Sequence, residues 1–265
     1  MNGISHIDDD LGKKKSRLQQ WRRYLAEDVD KSWADLILII ASFISGLVDS
    51  AVFNVWSCFV SMQTGNTVYV GLGMSGQPYS QPYRWVKSST AIVSFCLGTY
   101  FFSRAARVLG PLRRGTMCAS FVFQAALCFI GAGLVVSGVV HRNAGDQLPR
   151  NLIVLLPLSL LSFQSAGQIV ASRMLAYNEL PTVVLTSTYC DLMLDPTLFT
   201  APLTQNSKRN RRFISAVALL TGAVLGGFLT SEGDITGPLW IAGAIKLVVG
   251  IVWLFWRAEG SIRLE

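Results

Sequence analysis

Charge is scarce in this chain of 265 residues: Asp, Glu, Lys and Arg make up 15%, against roughly 25% in soluble domains. Histidine is nearly absent, with only His6 and His141, so a histidine-built metal site is excluded and neither metal nor cofactor is expected. The five cysteines, Cys58, Cys96, Cys118, Cys128 and Cys190, form no C-x-x-C pair, which removes zinc-ribbon and dithiol chemistry. They lie in or beside apolar stretches, as buried thiols do. No G-x-S-x-G, H-E-x-x-H or phosphate-binding loop occurs, so the chain is not expected to be an enzyme or a nucleotide-driven pump and no catalytic residue is assigned. No Asn-x-Ser/Thr acceptor is present.

Apolar residues, in contrast, are plentiful. Hydrophobic types make up 51% and mean hydropathy is +0.42. Six stretches are long enough to cross a hydrocarbon core of about 30 Å as helices. They are Trp33–Trp56, Val86–Val108, Thr116–Val140, Leu152–Met174, Phe213–Thr230 and Pro238–Trp256. The expected fold class is therefore an all-α polytopic membrane protein in contact with the lipid bilayer. Trp33, Trp56, Trp85, Trp240 and Trp256 fall near span ends, where interfacial aromatics collect.

A net charge of +7 would suggest nucleic acid in a soluble protein. Here the basic residues lie between the spans, so orientation accounts for them and no nucleic acid partner is expected. With both termini cytoplasmic, the inside segments carry 18 Lys and Arg and the outside segments 4, as the positive-inside rule requires. The opening ~30 residues are charged and lack an apolar h-region, so the first span is expected to act as an uncleaved anchor. Within that basic tail, residues 1–32, Leu18, Trp21, Leu25 and Val29 recur at near-helical spacing among Lys15, Arg17, Arg22 and Arg23. This pattern suits an amphipathic helix on anionic lipid, or a solvated tail that only sets orientation. Residues 141–151 are expected as an external loop. Residues 196–211 are expected as a flexible cytoplasmic loop without periodicity, and 257–265 as a cytoplasmic terminus.

The spans divide into two copies, 33–140 and 152–256. The stretch SFISGLVDSA from Ser42 aligns with SFQSAGQIVA from Ser162 at an offset of 120, matching Ser42, Phe43, Ser45 and Ala51 to Ser162, Phe163, Ser165 and Ala171. Thr64 aligns with Thr186, Gly98 with Gly222, and Gln124 with Lys246. An odd number of spans per copy turns the second copy upside-down, giving two inverted three-helix repeats. Each copy also holds a short threonine-containing segment, MQTGNTVYVGLGM from Met62 and VVLTSTYCDLM from Val183. The first, at about 1.5 Å per residue, is too short to cross. Both are expected as half-helices or re-entrant segments that meet near the midplane. Gly65 permits a break, while Gln63, Thr64, Asn66, Thr67, Thr186 and Thr188 bring polar groups to a solute pathway. The alternative is a glycine-rich packing site whose hydroxyls bond back to the backbone.

At these residues the chain resembles the YoaK family of membrane proteins, catalogued as domain-of-unknown-function family 1275. The first signature, roughly G-F-V-D-A followed by M-T-G-N, appears as Gly46-Leu47-Val48-Asp49-Ser50 and Met62-Gln63-Thr64-Gly65-Asn66, with Gln63 inserted. The second, roughly G-x-Q-N followed by T-G-T, appears as Ala166-Gly167-Gln168-Ile169 and Thr186-Ser187-Thr188. Ala166, Ile169 and Ser187 depart from it. The resemblance covers about Trp33 to Trp256 and implies a six-span integral membrane protein of bacteria or fungi. It implies no substrate.

Two charges fall inside spans. Asp49 and Lys246 each carry a cost of about 3 kcal/mol or more at the bilayer centre, so each is expected to face a partner, water or a solute. Asp49 is a candidate for a cation, a proton or a substrate amine, with Lys246 as its counter-charge. A structural pair is the alternative. Gln124 and Gln168 are expected to hydrogen-bond between helices, Gln168 also as a pathway residue. Gly46, Gly98, Gly222 and Gly226 are expected at close helix contacts, and Asp35 at a solvated edge. Asp191 and Asp195 have Mg²⁺-binding spacing but lack a second acidic cluster. The function expected is a small-solute secondary transporter or channel-like permease. The competing reading is a scaffold, assembly factor or lipid-binding protein. A homo-oligomer fits six spans.

Overall fold

The computed structural model describes residues 16–77, 79–81, 83–140 and 152–260. The expected loop 141–151 and the start of the basic tail lie outside them. Among the described residues, six helices are long and apolar enough to cross a membrane. They are α1 (Ala34–Trp56), α3 (Arg84–Leu109), α4 (Arg114–Val136), α5 (Leu155–Met174, after a 3-10 turn at Leu152–Val154), α7 (Ser207–Leu229) and α8 (Thr236–Leu254). Two short helices, α2 (Gln63–Met74) and α6 (Thr186–Met193), follow α1 and α5. Their 12 and 8 residues span only about 18 and 12 Å.

Local chemistry sets the ends. Gly110 takes φ +95° and is followed by Pro111, stopping α3. Asp234 accepts from the Thr236 N–H at 2.9 Å, and Pro238 occupies the first turn of α8. The largest departure from expectation is α7, which begins at Ser207 rather than Phe213. The Asn206 side chain accepts from the Arg209 N–H at 2.9 Å, a cap that lets the six polar residues before Phe213 join the helix. The loop before it is also ordered. Buried Arg209 donates to the carbonyls of Thr197, Leu198 and Ala201 at 3.2, 3.1 and 2.7 Å, so a basic side chain supplies the donors that a loop without periodicity lacks.

Packing pairs helices across the two halves of the chain. α1 lies on α7, α5 on α3, and α4 on α8. The first two pairs are built alike. A Cβ on Gly222 would strike the Phe43 carbonyl, and a Cβ on Gly98 would strike the Phe163 carbonyl. Gly46 meets the Leu219 carbonyl, and Gly226 meets Leu47 and Ser50. These glycines let backbones approach closely, which is how helices associate where lipid removes the hydrophobic drive. Ser42 and Ser215 hydroxyls, 2.8 Å apart, add a polar link between α1 and α7.

The core is two apolar clusters rather than one. Leu47, Val52, Trp56, Val135, Leu158 and Leu239 fill one end. Val29, Leu38, Phe121, Leu175, Leu180 and Trp253 fill the other. Along α8, Leu239 and Ala242 belong to the first and Val249 and Trp253 to the second, with Lys246 between them. The second end carries the basic loops. Buried Arg114 donates to Glu27 at 2.7 Å, to the Tyr24 carbonyl at 2.8 Å and to the Trp256 carbonyl at 2.9 Å. Asp35, expected at a solvated edge, instead pairs with Arg211 at 2.7 Å. The tail, the α3–α4 turn, the start of α7 and the chain beyond α8 are thereby held at one end.

Gly222→Ala is expected to destabilise the protein by about 1–3 kcal/mol through overpacking. Gly227→Ala, where a Cβ meets open space, is expected to leave stability unchanged or raised. Thermal unfolding in detergent separates the two, and equal melting temperatures would contradict the interlock.

Candidate functional site: a polar layer between the halves

Lys246 lies near the middle of α8 and is fully buried. Its ammonium donates to Gln124 Oε1 of α4 at 2.6 Å and to Gln168 Oε1 of α5 at 2.8 Å, and lies 6.0 Å from the centre of the Phe121 ring. Among the described residues no carboxylate lies within ion-pair distance. Gln168 Nε2 donates on to the Ser45 hydroxyl and the Ala41 carbonyl of α1, the latter at 3.2 Å, and approaches the Thr182 hydroxyl at 3.5 Å. Gln124 Nε2 donates to Ser120 at 3.2 Å. Gly167 makes room for this carboxamide, since a Cβ there would meet Gln124. Four helices thus meet through hydrogen bonds in a layer that separates the two apolar clusters.

One turn before Gln168 on the same face, Gln164 is also buried, and its Oε1 has no donor. A buried carboxamide oxygen left unpaired costs about 1–3 kcal/mol, so this oxygen is an open acceptor. Gln164, Ser45 and Thr182 were not legible as site residues. The signal for Gln164 was its i, i+4 relation to Gln168 within an apolar span.

Asp49 is not the partner of Lys246. One carboxylate oxygen accepts from the Val60 N–H at 2.7 Å and the Ser61 N–H at 3.0 Å, and the other accepts from the Ser61 hydroxyl. These donors belong to residues 57–62, where the chain leaves α1 and buries Cys58, Val60 and Ser61 before α2 begins. Asn66 clamps the same stretch, donating to the Phe59 carbonyl and to Gln63 Oε1, each at 2.8 Å, and accepting from the Phe59 N–H at 3.2 Å. Gln63 donates to the Val60 carbonyl at 2.8 Å. Lys87 and Arg84 cover the last carbonyls of α1, donating to Trp56 and Ser57 at 2.7 and 2.8 Å.

The second interruption follows α5. There Ser172 donates to the Tyr177 and Leu180 carbonyls at 3.0 and 2.7 Å, and Thr182 takes φ +64°. Both interruptions reach α5, the first through Ser165 donating to the Val60 carbonyl at 3.1 Å, the second through Gln168 and Thr182.

The short helices lie elsewhere than expected. α2 rests on α3 and α6 on α7, so Thr64–Thr67 and Thr186–Thr188 do not face each other across the layer. Gly65 is inside α2 against the Phe59 ring, and the irregular backbone precedes it. Thr64 is exposed, Thr67 donates back to the Gln63 carbonyl, Thr186 is exposed and Thr188 donates back to Val184. The physical reason is that Asp49, Gln63, Asn66, Ser165 and Ser172, not these threonine hydroxyls, satisfy the non-helical backbone. Gly46, Gly98, Gly222 and Gly226 sit at helix contacts, away from the layer. Asp191 pairs with Arg212 at 3.4 Å. Asp195 accepts from Asn206 at 2.8 Å, and this amide, with the Thr197 N–H, holds its carboxyl below the usual value. The two acids serve separate local structures.

Asp49→Ala orphans two buried amides and a hydroxyl, an expected loss of about 3 kcal/mol or more. Asp49→Asn keeps one acceptor oxygen for the amides and is expected to lose much less. Unfolding in detergent checks both, and a wild-type melting temperature for Asp49→Ala would contradict the clamp.

The model of a family described as "Protein of unknown function (DUF1275)" matches residues 37–252, and the chain belongs to this family. No curated protein and no solved structure matches it.

Proposed function

We propose that this member of the DUF1275 family is a secondary transporter or channel-like permease for a small solute, working through the polar layer around Lys246. The observation that carries the reading is a buried ammonium held by two neutral carboxamide oxygens and, among the described residues, by no carboxylate. Ionisable groups at such depth mark substrate or ion pathways by default. A solute carboxylate or similar anion in place of one carboxamide would form a charge-assisted bond roughly twice as strong as a neutral one. The open Gln164 acceptor offers a second contact.

The exchange of packing partners between the halves supports a mechanism. α1 on α7 and α5 on α3 make two like units, α4 and α8 meet between them, and the layer lies at their junction. With three spans per half and both termini cytoplasmic, the halves are inverted, and rocking the α1–α7 unit against the α3–α5 unit opens the layer to each side in turn. Asp49 stays committed to its clamp and takes no part in ion coupling. No catalytic step is assigned, and a homo-oligomer is compatible with the reading.

A second reading has its own observation. Residues 16–26 are helical, with Leu18 57% and Trp21 58% exposed beside Arg17, Arg22 and Arg23. That surface suits anionic lipid, as a scaffold or lipid-binding protein requires.

Flux into liposomes carrying the purified protein separates the readings, using a panel of carboxylates, amino acids, sugars and nucleosides. Lys246→Met is expected to abolish flux of the transported solute while stability holds or rises, because removing a buried charge relieves its desolvation cost. Unchanged flux in Lys246→Met would sink the role of the layer. Absence of flux for every solute class, with function lost on deleting the tail, would favour the second reading.

A further inference from the structure

We infer that the cavity between α3, α4 and α5 seats one acyl chain of an anionic phospholipid from the leaflet beside the basic loops. The cavity measures about 220 Å³. Phe102 and Met117 form its inner wall and are buried, whereas Phe101 and Phe123, 46% and 40% exposed, form an outer wall open to the membrane side. Val170 and Met174 of α5 complete the lining. The three rings pack edge-on or tilted against one another and against Phe163, at centroid distances between 5.5 and 6.5 Å.

These walls offer water almost nothing to bond, and apolar cavities stay dry or take apolar ligands. Between membrane-spanning helices, the apolar molecule at hand is lipid. Methionine and aromatic side chains adapt to a flexible chain. The lining runs along α3 from Phe101 to Leu109, about 12 Å of helix. That is most of the ~15 Å of hydrocarbon in one leaflet.

Charge at the mouth selects the headgroup. Leu109 and Pro111 line the cavity where α3 ends, and the Arg113 guanidinium lies over this turn, donating to the Leu109 carbonyl at 3.1 Å. Arg104 and Arg107 share this end of α3, bonded only to the neutral Tyr100 and Ser103 hydroxyls. Among the described residues none of the three has a carboxylate partner. Exposed guanidiniums without acids, at the mouth of an apolar cavity, match a phosphate above an acyl chain.

The inner end of the cavity is the polar layer itself. Ser120 and Gly167 line the cavity, and both touch Gln124, which accepts from Lys246. A seated chain therefore backs the carboxamide that holds the buried ammonium. The seat stands independently of the transport reading, and its test reads lipid retention rather than flux.

The experiment is native mass spectrometry of the delipidated full chain. Phosphatidylglycerol and phosphatidylcholine with identical acyl chains are titrated against it, in an Arg17/Arg22/Arg23→Gln background that silences the tail. The background protein is expected to retain phosphatidylglycerol more tightly. Arg113→Gln, at an exposed position, is expected to weaken phosphatidylglycerol about fivefold, the contribution of one basic residue near an anionic surface. It is expected to leave phosphatidylcholine unchanged. Ala105→Phe, which fills the cavity, is expected to lose both lipids. Equal retention of the two lipids, an Arg113→Gln without effect, or an Ala105→Phe that keeps phosphatidylglycerol would each overturn the proposal. If Ala105→Phe does not fold, the Arg113→Gln comparison decides alone.

Discussion

Backbone that stops being helical inside a packed membrane bundle has no water to satisfy its polar groups, and this chain does so twice. The Val60 and Ser61 amides are met by one oxygen of Asp49, and the Phe59 amide and carbonyl by Asn66. The carbonyls of Tyr177 and Leu180 are met by Ser172, and Gln168 approaches the Thr182 side-chain hydroxyl. Each polar side chain within α1 and α5 that serves an interruption restricts what else that helix can carry. Asp49 is spent on the first interruption, which leaves the ammonium on α8 without an acid. Gln168 serves the second interruption through its amide nitrogen and Lys246 through its carbonyl oxygen.

The outcome is a membrane protein with a stratified interior. Among the described residues, two apolar clusters hold the ends, glycine contacts lock α1 to α7 and α3 to α5, and the middle is a hydrogen-bonded layer with a charge that no acid contacts. Tight packing at the ends and an undercompensated charge between them is an arrangement that favours a polar guest in the layer over an empty one. Arg114 draws the tail, the α3–α4 turn and the chain after α8 to one point, so α4 and α8, which carry Gln124 and Lys246, are tied together at their basic ends. The aromatic cavity behind Gln124 reaches Ser120, which accepts from the same carboxamide.

Much of this was legible in the residues. Length and hydropathy marked six spans, five of them to within a few residues of the helices, because apolar runs of that length have few other folds. The matches Phe43 to Phe163 and Gly98 to Gly222 turn out to be two copies of one contact, a glycine against a phenylalanine carbonyl. Gln124 and Lys246, matched across the halves, bond to each other. What the residues concealed was partner choice. Asp49 and Lys246 read as a natural pair by charge, yet main-chain amides compete for the carboxylate and are eleven and twelve positions away in the same loop. The threonines of the short segments read as pathway groups because composition cannot tell a hydroxyl bonded back to its own helix from a free one. Arg209 and Asn206 organise a loop through carbonyls and an N–H that no hydropathy pattern registers.

The central claim is that the polar layer is reached from both sides of the membrane. Ser45, which accepts from Gln168 and is buried, is the position to probe. Ser45→Cys, with the five native cysteines replaced, is placed in vesicles of known orientation and treated with a membrane-impermeant thiol reagent from each side separately. The account predicts modification from either side, with rates that shift in opposite directions when a transported solute is added. Modification from one side only, or from neither, would contradict it.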